Sequence, residues 1–411
     1  MLNINRYRLS NGLRVVHCPD ANTKMVALNM LYDVGARDED PDHTGFAHLF
    51  EHLMFSGSVH IPEFDTPLQL AGGENNAWTN SDITNYYLTL PRQNVETGFW
   101  LESDRMLGLN FNSKSLDVQR GVVMEEFKQR CLNQPYGDVS HIIRELVYKV
   151  HPYRWPTIGK KLEHIARATL EEVEDFFYRF YAPNNAILSV TGNISFKEVV
   201  ALSEKWFADI PSRDVPKRKL PKEPLQNEER RQEVVRDVPV DALFLVYPMC
   251  ELNHPDYEVY DLLSDVLANG TSSRLKQHLT QDEKIFSSID AYISGTRDAG
   301  MFQFVGQLSE GVSIEEGEQA IQSELDILKN EPISNEEMEK VKNKYESNQV
   351  FRFIDYLNLA NDLAWYELNG NAEELEQCVQ KYRAVTPEQS KRIAQDLFVD
   401  SKKSVLYYRK K

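Results

Sequence analysis

The feature that most restricts the fold of this chain is a match of its sequence to itself. Ala47-His48-Leu49-Phe50-Glu51-His52-Leu53-Met54-Phe55-Ser56-Gly57-Ser58 lies without a gap over Tyr260-Asp261-Leu262-Leu263-Ser264-Asp265-Val266-Leu267-Ala268-Asn269-Gly270-Thr271, at a constant offset of 213 residues. The apolar positions at helical spacing and the terminating glycine coincide. A short β-prone run precedes each copy, residues 26–34 in the first and 242–247 in the second. One short amphipathic helix can match another by chance, but the shared strand–helix order favours a duplicated domain. Only the first copy carries His48, Glu51 and His52; the second has Asp261, Ser264 and Asp265 in their places.

A chain of 411 residues has room for two domains. Period-2 and apolar runs predict further strands over 86–90 and 301–305. Helical spacing predicts helices over 44–55, 93–107, 117–131, 170–181, 257–268, 314–329 and 335–349. The expected fold class is α+β: two homologous sandwiches, each a mostly antiparallel sheet with helices packed on it. Residues 211–231 hold Pro211, Pro216, Pro221 and Pro224 among dense charges and few aliphatic residues. They read as a solvated linker, which divides the chain into domains at 1–210 and 232–411.

A net charge of −17 argues against nucleic acid as a partner, since a phosphate binder needs a basic face. The same acidity is compatible with cationic peptides, although it also serves solubility alone. Cys18, Cys131, Cys250 and Cys378 are scattered and form no disulfide framework. No run reaches membrane-spanning length, and residues 1–8 hold no apolar signal core. The expectation is a cytoplasmic protein, or a periplasmic one if a signal has been removed.

His48 and His52, four apart on a helix, point to the same face and can bind one ion together. Zinc suits such nitrogen ligands in a tetrahedral site that keeps one position for water. Glu51 projects beside them, placed to take a proton from a metal-activated water and to return it to a leaving amine. The spacing H-x-x-E-H inverts the commoner zinc-peptidase helix. Two surface histidines would explain it more blandly, but the surrounding Phe46, Ala47, Leu49, Phe50, Leu53, Met54 and Phe55 imply partial burial. For a third ligand, residues 116–127 have helical spacing, and Glu126 falls amid the apolar arc of Leu116, Val118, Val122 and Val123. Glu125 is the alternative. Gln119, two turns earlier on that face, would lie in the second layer of contacts around the metal.

The pair His48/His52 followed 74 residues later by Glu126 resembles the inverted-zincin peptidases of the pitrilysin, insulin-degrading enzyme and mitochondrial processing peptidase group. Further segments carry the resemblance. They are Arg8-Leu9-Ser10-Asn11-Gly12-Leu13-Arg14-Val15, Gly45-Phe46, Asn76-Ala77-Trp78-Thr79 with Asp82, Thr84 and Tyr86, Tyr181-Ala182-Pro183-Asn184-Asn185, and Gly270-Thr271-Ser272-Ser273-Arg274-Leu275. The resemblance implies two homologous halves, one Zn2+ per chain, and hydrolysis of peptides or unfolded polypeptides. It also implies substrate binding by strand addition near Asn76, Ala77 and Thr79.

Two departures stand out. Members often carry an acid where this chain has Gln119. Active members also use an Arg and a Tyr from the second half to bind substrate and steady the tetrahedral intermediate, and here Thr280 and Ser287 occupy those positions. A strong oxyanion donor is worth about 3 kcal/mol, so a homologous partner chain is expected to supply them, with a homodimer as the alternative. A non-catalytic, peptide-binding or scaffold subunit is the competing reading. Scaffold members lose the His and Glu residues that this chain keeps.

Overall fold

The computed structural model describes residues 2–411. Among these residues, eleven strands form two sheets. The first orders β1 (Asn5–Arg8), β2 (Arg14–Pro19), β6 (Ala186–Gly192), β3 (Met25–Tyr32), β5 (Thr84–Pro91) and β4 (Glu74–Thr79) side by side. The second orders β7 (Arg230–Arg236), β11 (Ser404–Lys410), β8 (Ala242–Pro248), β10 (Met301–Leu308) and β9 (Phe286–Ile293).

The duplication is visible in the pairing. The run β2-β6-β3-β5-β4 has a parallel first pair and antiparallel pairs after it. The run β7-β11-β8-β10-β9 repeats that pattern strand for strand. Helix α1 (Phe46–Leu53) follows β3, and helix α3 (Tyr257–Ala268) follows β8, as the self-match requires. Helix α2 (Ser113–Phe127) belongs to the first half, and helix α4 (Tyr356–Asn369) comes late in the chain. No helix among the described residues is long and apolar enough to cross a membrane.

The two compact units are not the contiguous spans 1–210 and 232–411 that the sequence suggests. One comprises residues 1–129, 155–220 and 350–377; the other comprises 130–154, 221–349 and 378–411. Both faces of each sheet are apolar, and this explains the exchange. In the first unit, Leu28, Met30, Leu88 and Leu188 join one core with Phe50, Phe177 and Val199. On the opposite face Val16, Cys18, Leu31 and Ile187 are buried under Leu359, Leu363, Ala364 and Leu368 of α4. In the second unit, Phe244, Val246 and Leu406 are covered by Ile143 and Val147 from the helix Val139–Val147. Each sheet therefore takes its second cover from the other half of the sequence.

The stretch 211–231 also differs from a solvated linker, because its charges find partners. Arg213 stacks 4.9 Å from the Phe177 ring centroid and donates to the Tyr181 carbonyl at 2.6 Å. Arg218 grips the buried Asp38 at 2.5 Å and Asp33 at 2.9 Å. Further along, in the other unit, Glu223 accepts from the backbone N–H groups of Lys149, Val150 and His151.

Candidate metal centre

Helix α1 starts at Gly45, which adopts φ 90°, and buries Phe46, Ala47, Leu49, Phe50 and Leu53 against the first core. That face fixes the rotation of the helix, so His48 and His52 emerge together at its margin. Their ring centroids lie 5.0 Å apart with the planes at 89°. Helix α2 is capped by Asn112, whose side chain accepts from the Ser115 N–H, and it packs on α1. It delivers Glu126 to the same place. The Glu126 Oε2 atom stands 3.4 Å from His48 Nε2 and 3.3 Å from His52 Nε2. Among the described residues, these three form a group whose ligand atoms all lie within 4.8 Å of one another.

The spacing of the three side chains is one that could hold a metal ion. A charge-assisted N–H···O bond closes to about 2.7–2.9 Å. Ligands at about 2.0–2.1 Å from a tetrahedral zinc stand about 3.4 Å from one another. The two Glu126–imidazole separations, 3.4 and 3.3 Å, equal the edge of such a tetrahedron. Side-chain exposures of 9% for His48, 19% for Glu126 and 24% for His52 leave the group open on one side, as a site that admits water and substrate requires. Two imidazoles and one carboxylate are a donor set suited to zinc.

Glu125, the alternative to Glu126, points away, with its side chain 56% exposed beside Lys128. The arc argument from sequence needs correction, because Val118 and Val122 are 54% and 44% exposed. The buried stripe of α2 is Leu116, Val123 and Phe127, and Glu126 flanks its margin where that stripe meets α1. Gln119 is half-buried on the same helix. It lies seven residues back, about 10 Å along the axis from Glu126.

Glu51 is half-buried on α1, one position before His52. Tyr86 and Tyr181 are buried nearby. Burial chiefly raises their phenol pKa values, and the Glu51 charge adds to the effect. Tyr86 Oη donates to the Phe50 carbonyl at 3.1 Å, so it tethers α1 one residue before Glu51. Two more residues that the sequence reading did not single out act at the other end of this helix. Glu39 accepts from the Gly45 and Ala47 N–H groups, both at 2.9 Å, and Trp155 Nε1 donates to it at 3.1 Å. Burial pushes the Glu39 carboxyl up to about 8, against the pull of those donors. No local pattern marks Glu39, since it lies six residues before Gly45 in a separate turn.

Asn76, Ala77 and Thr79 lie on β4, the outermost strand of its sheet. Asn80 N donates to Ile83 O where the β4–β5 ladder ends, at 3.0 Å. Alternation along the antiparallel register then turns the backbone groups of Ala77 and Thr79 outward, to the free edge. Asn76 instead pairs inward, and its side chain accepts from the Ala77 N–H at 2.8 Å.

In the second half, α3 carries Asp261, Ser264 and Asp265 at the equivalent positions. Asp261 accepts from Tyr382 Oη at 2.5 Å, and burial raises its carboxyl to about 6. These residues line a recess of about 400 Å³ with Asp290 and Tyr292. Thr280 lies in the π-helical segment Lys276–Asp282, and Ser287 is exposed on β9.

A family model described as Insulinase (Peptidase family M16) matches residues 14–153, and one described as Peptidase M16 inactive domain matches residues 167–345. The chain belongs to the M16 peptidase family. This M16 chain is 29% identical to the zinc protease PqqE of Helicobacter pylori over 97% of its length and 91% of that protein's. It is 25% identical to the uncharacterized zinc protease YmxG of Bacillus subtilis, over 97% and 96% of the two chains. A crystal structure of a protease from Helicobacter pylori superposes with a TM-score of 0.95 at 27% identity, covering all of both chains. The first model spans His48, His52 and Glu126, and the second spans Asp261 and Asp265.

Proposed function

We propose that this chain is a zinc-dependent endopeptidase, or the zinc-carrying subunit of one, acting on peptides or unfolded polypeptides. The observation that carries the reading is the group of His48, His52 and Glu126, spaced for a tetrahedral ion and open on one side. These three residues would hold one Zn2+ per chain. When bound, zinc supplies Lewis acidity, lowering the pKa of a water to about 7 and polarising a carbonyl. Glu51, one position before His52, would take a proton from the attacking water and return it to the departing amine. The outward backbone of Ala77 and Thr79 offers a substrate strand its hydrogen bonds, the Ala77 N–H once the strand displaces the Asn76 side chain from it. Gln119 supplies no charge to the surroundings of the metal, so the site works with one carboxylate fewer than an acid there would give.

With Thr280 and Ser287 in the second half, the oxyanion donors come from elsewhere. A homologous second chain supplying Arg and Tyr is the arrangement we favour over a homodimer. Stripping the metal with a chelator should abolish peptide hydrolysis, and stoichiometric zinc should restore it; hydrolysis that persists without metal refutes the reading. Full activity of the purified chain alone, compared with the chain plus a co-purifying homologue, refutes the partner.

A further inference from the structure

We infer that Glu39 is a positioning residue for the metal-holding helix, fixing the first turn of α1 and through it the His48 imidazole. The inference rests on the zinc reading of the site. Helix α1 has only eight residues, and its N-cap, Gly45, has no side chain to cap with. A helix that short does not hold its own orientation, so its ends must be anchored from outside. An ordinary capping residue cannot take the place of Gly45. Its φ is +90°, and a Cβ there would stand 2.6 Å from Ile165 Cδ1 and 2.9 Å from the Ile158 carbonyl oxygen.

The missing cap is provided by one carboxylate used at both oxygens. Glu39 Oε2 takes the Gly45 N–H and Oε1 takes the Ala47 N–H, each at 2.9 Å. Two acceptors on a rigid fork set both the height of the helix and its rotation. Ala47 directly precedes His48, so a rotation of the first turn swings that ring away from Glu126. Glu39 is itself only 6% exposed, and Trp155 Nε1 also donates to its Oε2 at 3.1 Å. A glutamine would offer one acceptor to these donors and turn an amide N–H2 toward one of them.

The test uses Glu39→Gln and Glu39→Asp in the full chain. Zinc affinity is measured by chelator competition, the visible spectrum is recorded with cobalt in place of zinc, and kcat, KM and the thermal midpoint are followed. Groups that hold metal ligands from behind alter metal affinity by about 10–100-fold when replaced. Glu39→Gln should weaken zinc by that factor, shift the cobalt spectrum and lower kcat with KM unchanged. Glu39→Asp, which keeps both carboxyl oxygens on a shorter arm, should fall between it and wild type. Wild-type zinc affinity and cobalt spectrum in folded Glu39→Gln would overturn the inference. If that variant does not fold, wild-type values in Glu39→Asp overturn it instead. Glu51→Gln run in parallel separates the two levels, since retained activity there refutes the peptidase reading whatever Glu39 does.

Discussion

Replacing Glu126 and Glu125 separately by alanine discriminates between two adjacent carboxylates that composition cannot tell apart. Glu126 Oε2 lies 3.4 and 3.3 Å from the two imidazole nitrogens. Its loss leaves two neutral ligands and no negative charge on the ion. Removing a group that merely braces a ligand costs about 10–100-fold in metal affinity. Removing the ligand should cost at least about 100-fold, or about 2.7 kcal/mol. Glu125 has a 56% exposed side chain and one Lys128 contact at 3.4 Å, a surface pair worth a few tenths of a kcal/mol at most. Glu125→Ala should therefore bind zinc as wild type does. The assay is competition with a chromophoric chelator on each purified variant. Equal weakening by the two substitutions, or wild-type affinity in Glu126→Ala, would refute the assignment.

Ala77→Pro removes an N–H that faces the free edge of β4, so the β4–β5 ladder should survive. KM for an extended peptide should rise with the thermal midpoint little changed, and an unchanged KM would count against strand addition. Arg218→Ala leaves the buried Asp38 without its guanidinium partner and should destabilise by about 2–3 kcal/mol in denaturant melts. Lys217→Ala, at an exposed neighbour, should be neutral. In the second unit, Glu318 accepts from Arg231, Lys403 and Tyr407. Although burial works to raise its carboxyl, those bonds hold it down to about 2. A depressed carboxylate stabilises the fold above its ordinary pKa of 4.5, and that contribution is lost as pH falls from 4.5 toward 2. Glu318→Gln should cost about 2–3 kcal/mol at neutral pH. The gap to wild type should close near pH 2, and a gap independent of pH would refute the argument.

The parts of this molecule that were legible in its sequence are those written in local periodicity. His48, Glu51 and His52 share a helix, so their spacing alone places them together. The repeat at an offset of 213 residues foretold a second copy of the strand–helix plan, and the pairing of the two sheets repeats it. Glu126 was singled out on an arc that includes two exposed valines; the group it joins depends on how α2 meets α1, which spacing on one helix does not specify. Periodicity shows that a helix has a buried face but not which sheet that face covers. The crossing of α4 to the first sheet was therefore invisible. The charges of Arg213 and Arg218 read as solvated because their partners, at Phe177, Tyr181, Asp33 and Asp38, are distant in sequence. Glu39 escaped notice for the same reason: a cap normally sits next to its helix, and this one arrives from a separate turn.

The most direct test is zinc content together with peptide hydrolysis in wild type and Glu51→Gln, each in the assembly in which the wild type is active. The account predicts one zinc per chain in both proteins, with hydrolysis slowed by about 10²–10⁴-fold in the variant alone. Equal hydrolysis by the two would remove Glu51 as the base and contradict the mechanism.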